Sequence, residues 1–259
     1  MNQSERRRFL IEALLAEQPR YRGMAVPAKA EDQKLLLRGL LNVRLPAPAS
    51  GDFIKIQDEY LAEALRERGV TRLSDLTPVR EDIYLWQGNI TTLACGAIVN
   101  AANAGMTGCY QPNHTCIDNC IHTFAGVQLR NECARLMAEQ GHAEPTGQAK
   151  LTPAYNLPCR YVLHTVGPIV TGPLTDAHRE MLSSCYRACL ALADETGIES
   201  VAFCCISTGV FGYPQAEAAR TAVDTVTAYK AETGSRIKVI FNVFKDRDRE
   251  IYGKILGIK

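Results

Sequence analysis

Short β-like runs alternate with longer helical runs from about residue 80 onward, and this alternation constrains the fold more than any other feature. A glycine follows each of the longer runs, as is common at helix C-termini. Such alternation predicts an α/β sheet covered by helices, with ligands bound beyond the carboxyl ends of the strands. The candidate strands are Ile83–Trp86, Ala97–Asn100, Tyr161–Thr165, Val201–Ile206 and Ile237–Phe244. The candidate helices are Ile117–Gln140, Thr175–Thr196 and Pro214–Thr233.

The first part of the chain follows a different pattern, with apolar residues at helical spacing and no β-like runs. Three amphipathic helices are predicted there, the first from Ser4 to Gln18, the second around Leu36–Leu41 and the third around Ile56–Leu65. Thr77-Pro78 is a reasonable boundary, because the pattern changes after it. We therefore expect a helical N-terminal extension over residues 1–77 and an α/β domain over residues 78–259.

The overall charge excludes several classes of partner. The chain has 46% hydrophobic and 22% charged residues and a formal net charge of +1. This is an ordinary globular composition, and its small net charge creates no strong electrostatic field that would attract nucleic acid or a membrane surface. No secretory signal or membrane-spanning stretch is evident, so the ten cysteines are interpreted as reduced and the protein as cytoplasmic.

Two loops that follow candidate strands are rich in small residues and contain no Lys or Arg. They are residues 100–105, with the sequence NAANAG, and residues 207–214, with the sequence STGVFGYP. Glycine-rich turns that lead into a helix can cradle a phosphate with backbone N–H groups. Tight strand-to-helix turns have the same composition, so both interpretations stay open at this point.

A third loop carries metal-ligand chemistry. Cys109, His114 and Cys116 form a Cys-x4-His-x-Cys pattern, compact enough to surround one Zn²⁺ ion. Three ligands suit a catalytic zinc with an open position, whereas a structural zinc needs a fourth, for which Cys120 or His122 is available. The alternative is three unrelated residues.

Asp118 stands at the predicted start of a helix just after this loop, with His122 four residues further on and on the same face. A carboxylate there could act as a general base or orient a water molecule. The simpler alternative is a helix-start carboxylate that interacts favourably with the helix dipole.

Four ordered motifs resemble those of macrodomains, and the resemblance runs from about Asp82 to Lys259. It implies a three-layer α/β/α sandwich around a mixed sheet. Together with the inserted metal-ligand loop, it makes the chain similar to the zinc-dependent bacterial class of protein-ADP-ribose hydrolases, which also carries a helical N-terminal extension. The motifs are GNIT at 88–91, AIVNAAN at 97–103, CIDNCIH at 116–122 and STGVFGYP at 207–214.

The resemblance also implies roles for individual residues. Asn89, whose side-chain carbonyl can accept a hydrogen bond, and the backbone N–H of Ile90 are expected to contact adenine, with the aromatic ring of Phe244 nearby. Asn103 is expected beside the distal ribose, and Asp118 is expected to position water. Asn89 stands where the family usually has Asp, and the metal-ligand loop stands where it usually has a glycine tract. The residues expected at the diphosphate are Ser207, Thr208, Gly209, Val210 and Phe211.

The resulting hypothesis is a zinc-dependent hydrolase that removes mono-ADP-ribose from modified proteins by cleaving a glycosidic or ester-type linkage. Asp118 and Asn103 would be its catalytic residues, and zinc would polarise a ribose oxygen or activate water. By resemblance, the substrate is an ADP-ribosylated protein, with a lipoyl-carrier protein as the implied partner. The alternatives are a non-catalytic ADP-ribose-binding module with a structural zinc, and a zinc-stabilised scaffold whose extension recruits a partner.

Overall fold

The computed structural model describes residues 1–258, which form eight α-helices and nine β-strands. No helix among these residues combines the length and the apolar composition needed to cross a bilayer. The helices are α1 Gln3–Ala16, α2 Ala30–Val43, α3 Gly51–Arg68, α4 Ile117–Ala125, α5 Val127–Gln140, α6 Asp176–Glu195, α7 Gln215–Thr233 and α8 Asp246–Leu256. The strands are β1 Thr71–Arg72, β2 Pro78–Arg80, β3 Ile83–Gln87, β4 Leu93–Ala94, β5 Ala97–Ala101, β6 Ala149–Pro153, β7 Tyr161–Thr165, β8 Ser200–Phe203 and β9 Lys238–Val243.

Seven strands form one mixed sheet in the order β2-β3-β9-β8-β5-β7-β6. The five inner strands are parallel, while β2 and β6 pair antiparallel at the two edges. Parallel pairing requires crossover helices, which the longer helical runs supply. The remaining strands, β1 and β4, make a separate two-stranded parallel ladder.

Helices cover both faces of this sheet, which confirms the predicted three-layer α/β/α architecture. All four residues of β8 are buried, as expected for a strand with helices on both sides. On one face, the ring of Phe203 packs on Tyr186 of α6, and the neighbouring Phe241 packs on Tyr252 of α8. Helix α7 lies between α6 and α8, and α4 and α5 belong to the other layer.

The helical N-terminal extension consists of α1, α2 and α3, packed around their own apolar cluster. Leu10, Leu37 and Phe53 are at its centre, and Val127 of α5 completes it. An α/β-domain residue therefore fills part of the core of the extension. The boundary between residues 77 and 78 remains a prediction.

The structure corrects the predicted long helix over residues 117–140. Gly126 has φ +95°, a conformation in which an added Cβ would meet the Gln57 amide, and the chain breaks there into α4 and α5. The edge strand β6 and the C-terminal helix α8 were not predicted. Only Thr152 of β6 is buried, and α8 begins with the five charged residues Asp246–Glu250, so neither segment contains a continuous apolar run.

Candidate ligand-binding cleft and metal site

The predicted ligand-binding residues all follow parallel strands at one edge of the sheet. Asn89 comes just after β3 and Phe244 just after β9, while Ser207 and Asn103 follow β8 and β5. These four strands are parallel, so their carboxyl ends lie at the same edge. This is the position at which open α/β sheets bind ligands.

Asn103, in the first small-residue loop, contacts Asp118 in the first turn of α4. Asn103 Nδ2 donates to Asp118 Oδ2 at 3.2 Å and to the Gly108 carbonyl at 3.1 Å, while its Oδ1 accepts from Gly105 N at 2.9 Å. The other carboxylate oxygen, Asp118 Oδ1, accepts from Asn100 Nδ2 at 2.9 Å. Two amide donors therefore fix the plane of this carboxyl group.

The surroundings of Asp118 change the pKa of its carboxyl group in opposite directions. Burial raises its pKa to about 6, because a charged carboxylate is poorly solvated there. The hydrogen bond from Asn100, the positive charge of Arg130 and the hydrogen bond from Asn103 act to lower the same pKa. Asp118 is therefore mostly ionised near neutral pH, as an orienting or base role requires.

A buried polar chain supports the Asp118 carboxylate from the sheet. Asn100 Nδ2 also lies 3.2 Å from His164 Nδ1, and His164 Nε2 lies 2.9 Å from Thr152 Oγ1. Because the amide nitrogen can only donate, Nδ1 is the acceptor and Nε2 carries the proton. The ring of His122 approaches the same carboxylate, with Nε2 3.5 Å from Asp118 Oδ1.

The second small-residue loop contains backbone donors that have no acceptor within the described residues. Among residues 1–258, no backbone carbonyl accepts from the N–H groups of Gly209, Val210 or Phe211. The Phe211 carbonyl accepts from Val170 N at 2.8 Å, so the segment after β7 braces this loop. Exposure rises towards the middle of the loop: Ser207 is buried, Thr208 and Phe211 are half-buried, and Gly209 and Val210 are exposed. Ser207 also has a positive φ of +64°. These free N–H groups suit an anion such as a diphosphate.

Asn89 and Phe244 follow the neighbouring strands β3 and β9 at the same edge of the sheet. Asn89 Oδ1 accepts from Thr91 N at 3.0 Å and from Thr91 Oγ1 at 2.8 Å, and thereby caps a short 3₁₀ turn that begins at Ile90. The oxygen expected to accept from adenine is therefore already engaged, which leaves Nδ2 as the available side-chain donor. The Phe244 side chain is 73% exposed, unusually open for a large aromatic residue.

The three predicted metal ligands lie together in what we call the metal loop, residues 105–116. The ligand atoms of Cys109, His114 and Cys116 are all within 4.8 Å of one another, and Cys109 Sγ is 3.6 Å from His114 Nδ1. Ligand atoms around one tetrahedral zinc lie roughly 3.5–4 Å apart. Two thiols and an imidazole at this spacing therefore fit zinc.

Neither residue considered as a fourth ligand belongs to this group. Cys120 Sγ instead lies 3.5 Å from Arg38 Nη2. His122 belongs to a separate, fully buried group with Cys133 and His164. The metal loop therefore offers three candidate ligands, the number typical of a catalytic zinc site.

Sequence reasoning missed several residues that shape the site. Asn100 was placed at a strand end and in the first small-residue loop but given no role, although its side chain donates to Asp118. Val170, whose N–H donates to the Phe211 carbonyl of the second loop, was not considered. Arg38 and Asn42, in α2 of the extension, contact the metal loop from more than 70 positions away in the chain. No local pattern marks such contacts, because they depend on how the extension packs.

Comparison with known proteins gives concordant matches. Residues 99–222 match the family model described as Macro domain. The chain is 58% identical to a protein-ADP-ribose hydrolase of Treponema medium over 99% of this chain and 100% of that protein. It is 48% identical to the protein of the same name from Staphylococcus aureus strain MRSA252, over 94% and 92% of the two chains. A Trypanosoma brucei macrodomain solved in complex with ADP-ribose matches with TM-score 0.66 and 34% identity, over 85% of this chain and 95% of that one.

Proposed function

The chain belongs to the macrodomain family, and we propose that it hydrolyses mono-ADP-ribose from modified proteins. The observation that carries this proposal is the Asn103–Asp118 pair directly beside the Cys109–His114–Cys116 group. The near-complete alignment with two proteins named protein-ADP-ribose hydrolases supports it.

ADP-ribose would lie across the strand ends, with its adenine between Asn89 and Phe244. The backbone N–H of Ile90 and the Nδ2 of Asn89 would donate to ring nitrogens, and the exposed Phe244 ring would stack on the base. The distal ribose would reach Asn103 and Asp118. The N–H groups of the second loop would hold the diphosphate without a basic side chain; this loop provides Ser207, Thr208, Gly209, Val210 and Phe211.

Cys109, His114 and Cys116 would hold Zn²⁺ next to the ribose end of the cleft. When bound, zinc supplies a Lewis acid close to the bond that is broken. Cys116 has a second role, because its Sγ accepts from Asn119 N and caps α4. The residue that holds the metal therefore also sets the start of the helix that carries Asp118.

Asp118 orients the attacking water and accepts its proton in this proposal. The water oxygen bonds to the anomeric carbon of the distal ribose while the bond from that carbon to the side-chain oxygen of the target breaks. That oxygen leaves with the electron pair, either as a carboxylate or, for a serine, as a hydroxyl that takes its proton from solvent. Asn100 and Asn103 hold the two carboxylate oxygens, which keeps the accepting lone pairs in a fixed direction. Asn103 would also contact the ribose.

The deciding experiment is incubation of the protein with carboxylate-linked and serine-linked ADP-ribosyl proteins, with and without a chelator. We expect catalytic release of free ADP-ribose, detected by mass spectrometry, and its loss when the metal is removed. Tight ADP-ribose binding with no release from either substrate would instead indicate a binding module with a structural zinc. A lipoyl-carrier protein as the natural target remains a prediction from resemblance, and an ADP-ribosylated lipoyl-carrier protein is the third substrate to include.

A further inference from the structure

Helix α2 of the N-terminal extension contacts the metal loop through two side chains. Arg38 Nη2 donates to the His114 carbonyl at 2.8 Å, and Asn42 Oδ1 accepts from Asn113 N at 2.9 Å. Arg38 and Asn42 are four residues apart, so both lie on the same face of α2. The extension therefore touches the backbone of a metal ligand directly.

A second path runs from Arg38 through Asn119. Arg38 Nη2 also lies 3.2 Å from Asn119 Oδ1, which orients that amide. Asn119 Nδ2 then donates to the Gln111 carbonyl at 3.0 Å and to the Cys109 carbonyl at 3.3 Å. Asn119 is fully buried, so its amide has few alternative orientations.

The same asparagine reaches the third ligand through its backbone, because Asn119 N donates to Cys116 Sγ at 3.4 Å. Arg38 thus holds His114 directly and supports Cys109 through the side chain of Asn119, while the backbone N–H of Asn119 contacts Cys116 Sγ. The central residues of the loop, Gln111–Asn113, are exposed and have little packing of their own. Their conformation therefore depends on these polar contacts.

We propose that Arg38 is a positioning residue that holds the metal loop in its zinc-binding arrangement. The helical extension is then a structural part of the metal site. The inference rests on the proposed function for the role of zinc, but the contacts concern this chain's own residues. Groups that hydrogen-bond to ligating side chains change metal affinity by about 10- to 100-fold when removed, and Arg38 acts on the same ligands through the His114 carbonyl and Asn119.

The test compares Arg38→Gln with a matched variant, Arg44→Gln, in the full-length protein. Arg44 is also an arginine of the extension, but its guanidinium pairs with Glu17 and with the carbonyls of Ala47 and Pro48 and makes no hydrogen bond to the metal loop. The primary readout is the zinc dissociation constant, measured by competition with a chromophoric chelator. Thermal unfolding of the metal-free proteins separates this effect from a general loss of stability.

We expect Arg38→Gln to weaken zinc binding by about 10- to 100-fold and Arg44→Gln to leave it within about threefold. Arg38→Lys should be intermediate, because a single ammonium cannot reproduce the fork geometry of a guanidinium. Should Arg38→Gln fail to fold, Arg38→Lys decides the question. Wild-type zinc affinity in whichever of the two is folded would overturn the inference.

The outcome also separates this inference from the proposed function. Loss of zinc affinity in Arg38→Gln, in a wild-type protein that binds zinc but releases no ADP-ribose, would support the positioning role and overturn the hydrolase proposal. A wild-type protein that binds no zinc would overturn the positioning role and the zinc site together.

Discussion

Asn103 Nδ2 donates a hydrogen bond to Asp118 Oδ2 across 3.2 Å, and this contact joins the two residues expected to act on the distal ribose. Asn103 follows a sheet strand, whereas Asp118 lies in the first turn of α4, with the metal loop between them. The folded metal loop therefore brings the ribose-binding amide and the water-orienting carboxylate together. Any change that disorders this loop should affect both residues at once.

The first prediction concerns metal content. We expect one zinc per chain in the purified protein and its loss in Cys109→Ala or Cys116→Ala, because each variant removes one of three ligands. Elemental analysis after gel filtration measures this. Cys120→Ala is the matched control, since its thiol is one helical turn away and outside the group, and it should retain zinc. A zinc-free wild-type protein with full hydrolase activity would refute the prediction.

The second prediction concerns the exposed ring of Phe244. Phe244→Ala should weaken ADP-ribose binding by about 1–3 kcal/mol, the range for loss of base–aromatic stacking. Because the side chain is largely exposed, the free energy of unfolding should change little. Titration calorimetry measures the affinity, with Leu45→Ala, another exposed apolar side chain, as the control. Unchanged affinity in folded Phe244→Ala would remove Phe244 from the adenine site.

The third prediction concerns stability at acid pH. Burial lowers the pKa of His164 to about 3, compared with about 6.5 in an unfolded chain. Between these values the unfolded chain binds a proton that the folded protein does not. The contribution of neutral His164 to stability is therefore complete above about pH 6.5 and declines as the pH falls towards 3, by up to about 1.4 kcal/mol per pH unit.

Denaturant unfolding between pH 4.5 and 7.5 tests this relationship. His164→Gln should be less stable at neutral pH, because the polar chain to Asn100 and Thr152 is disturbed, but its stability should fall less steeply with acid. His142→Gln, which changes an exposed histidine, should keep the wild-type slope. An unchanged slope in His164→Gln would show that other groups control the acid sensitivity.

Much of the fold could be predicted from the sequence because its inner strands and crossover helices have strong apolar periods. The predicted β5 and β8 begin within a residue of the observed strands, and the helix predicted over 214–233 corresponds to α7. The break at Gly126 could not be predicted in the same way. Apolar residues continue on both sides of this glycine at helical spacing, so only its positive φ in the folded chain reveals two helices.

The individual residues of the candidate site could be predicted from the sequence, but the hydrogen bonds between them could not. Cys109, His114 and Cys116 are close in sequence, so their spacing alone indicated a metal site. The donors to the Asp118 carboxylate come from separate segments of the chain, and Arg38 lies 76 residues from the carbonyl that it contacts. The contact of Arg38 follows from the packing of α2 against α4, and those of Asp118 from the packing of α4 against β5, which no local pattern encodes.

The measurement that tests the central claim most directly is the turnover of Asp118→Ala on a mono-ADP-ribosylated protein, with its zinc content verified. Loss of the carboxylate should reduce ADP-ribose release by about 100-fold or more, the lower range for general acid–base catalysis. Free ADP-ribose should still bind with similar affinity, because most of its proposed contacts lie in other loops. Asp118→Asn should be similarly impaired, because its amide retains the shape of the side chain but cannot accept a proton. Wild-type turnover in zinc-loaded Asp118→Ala would contradict the account and leave Asp118 as a helix-start residue only.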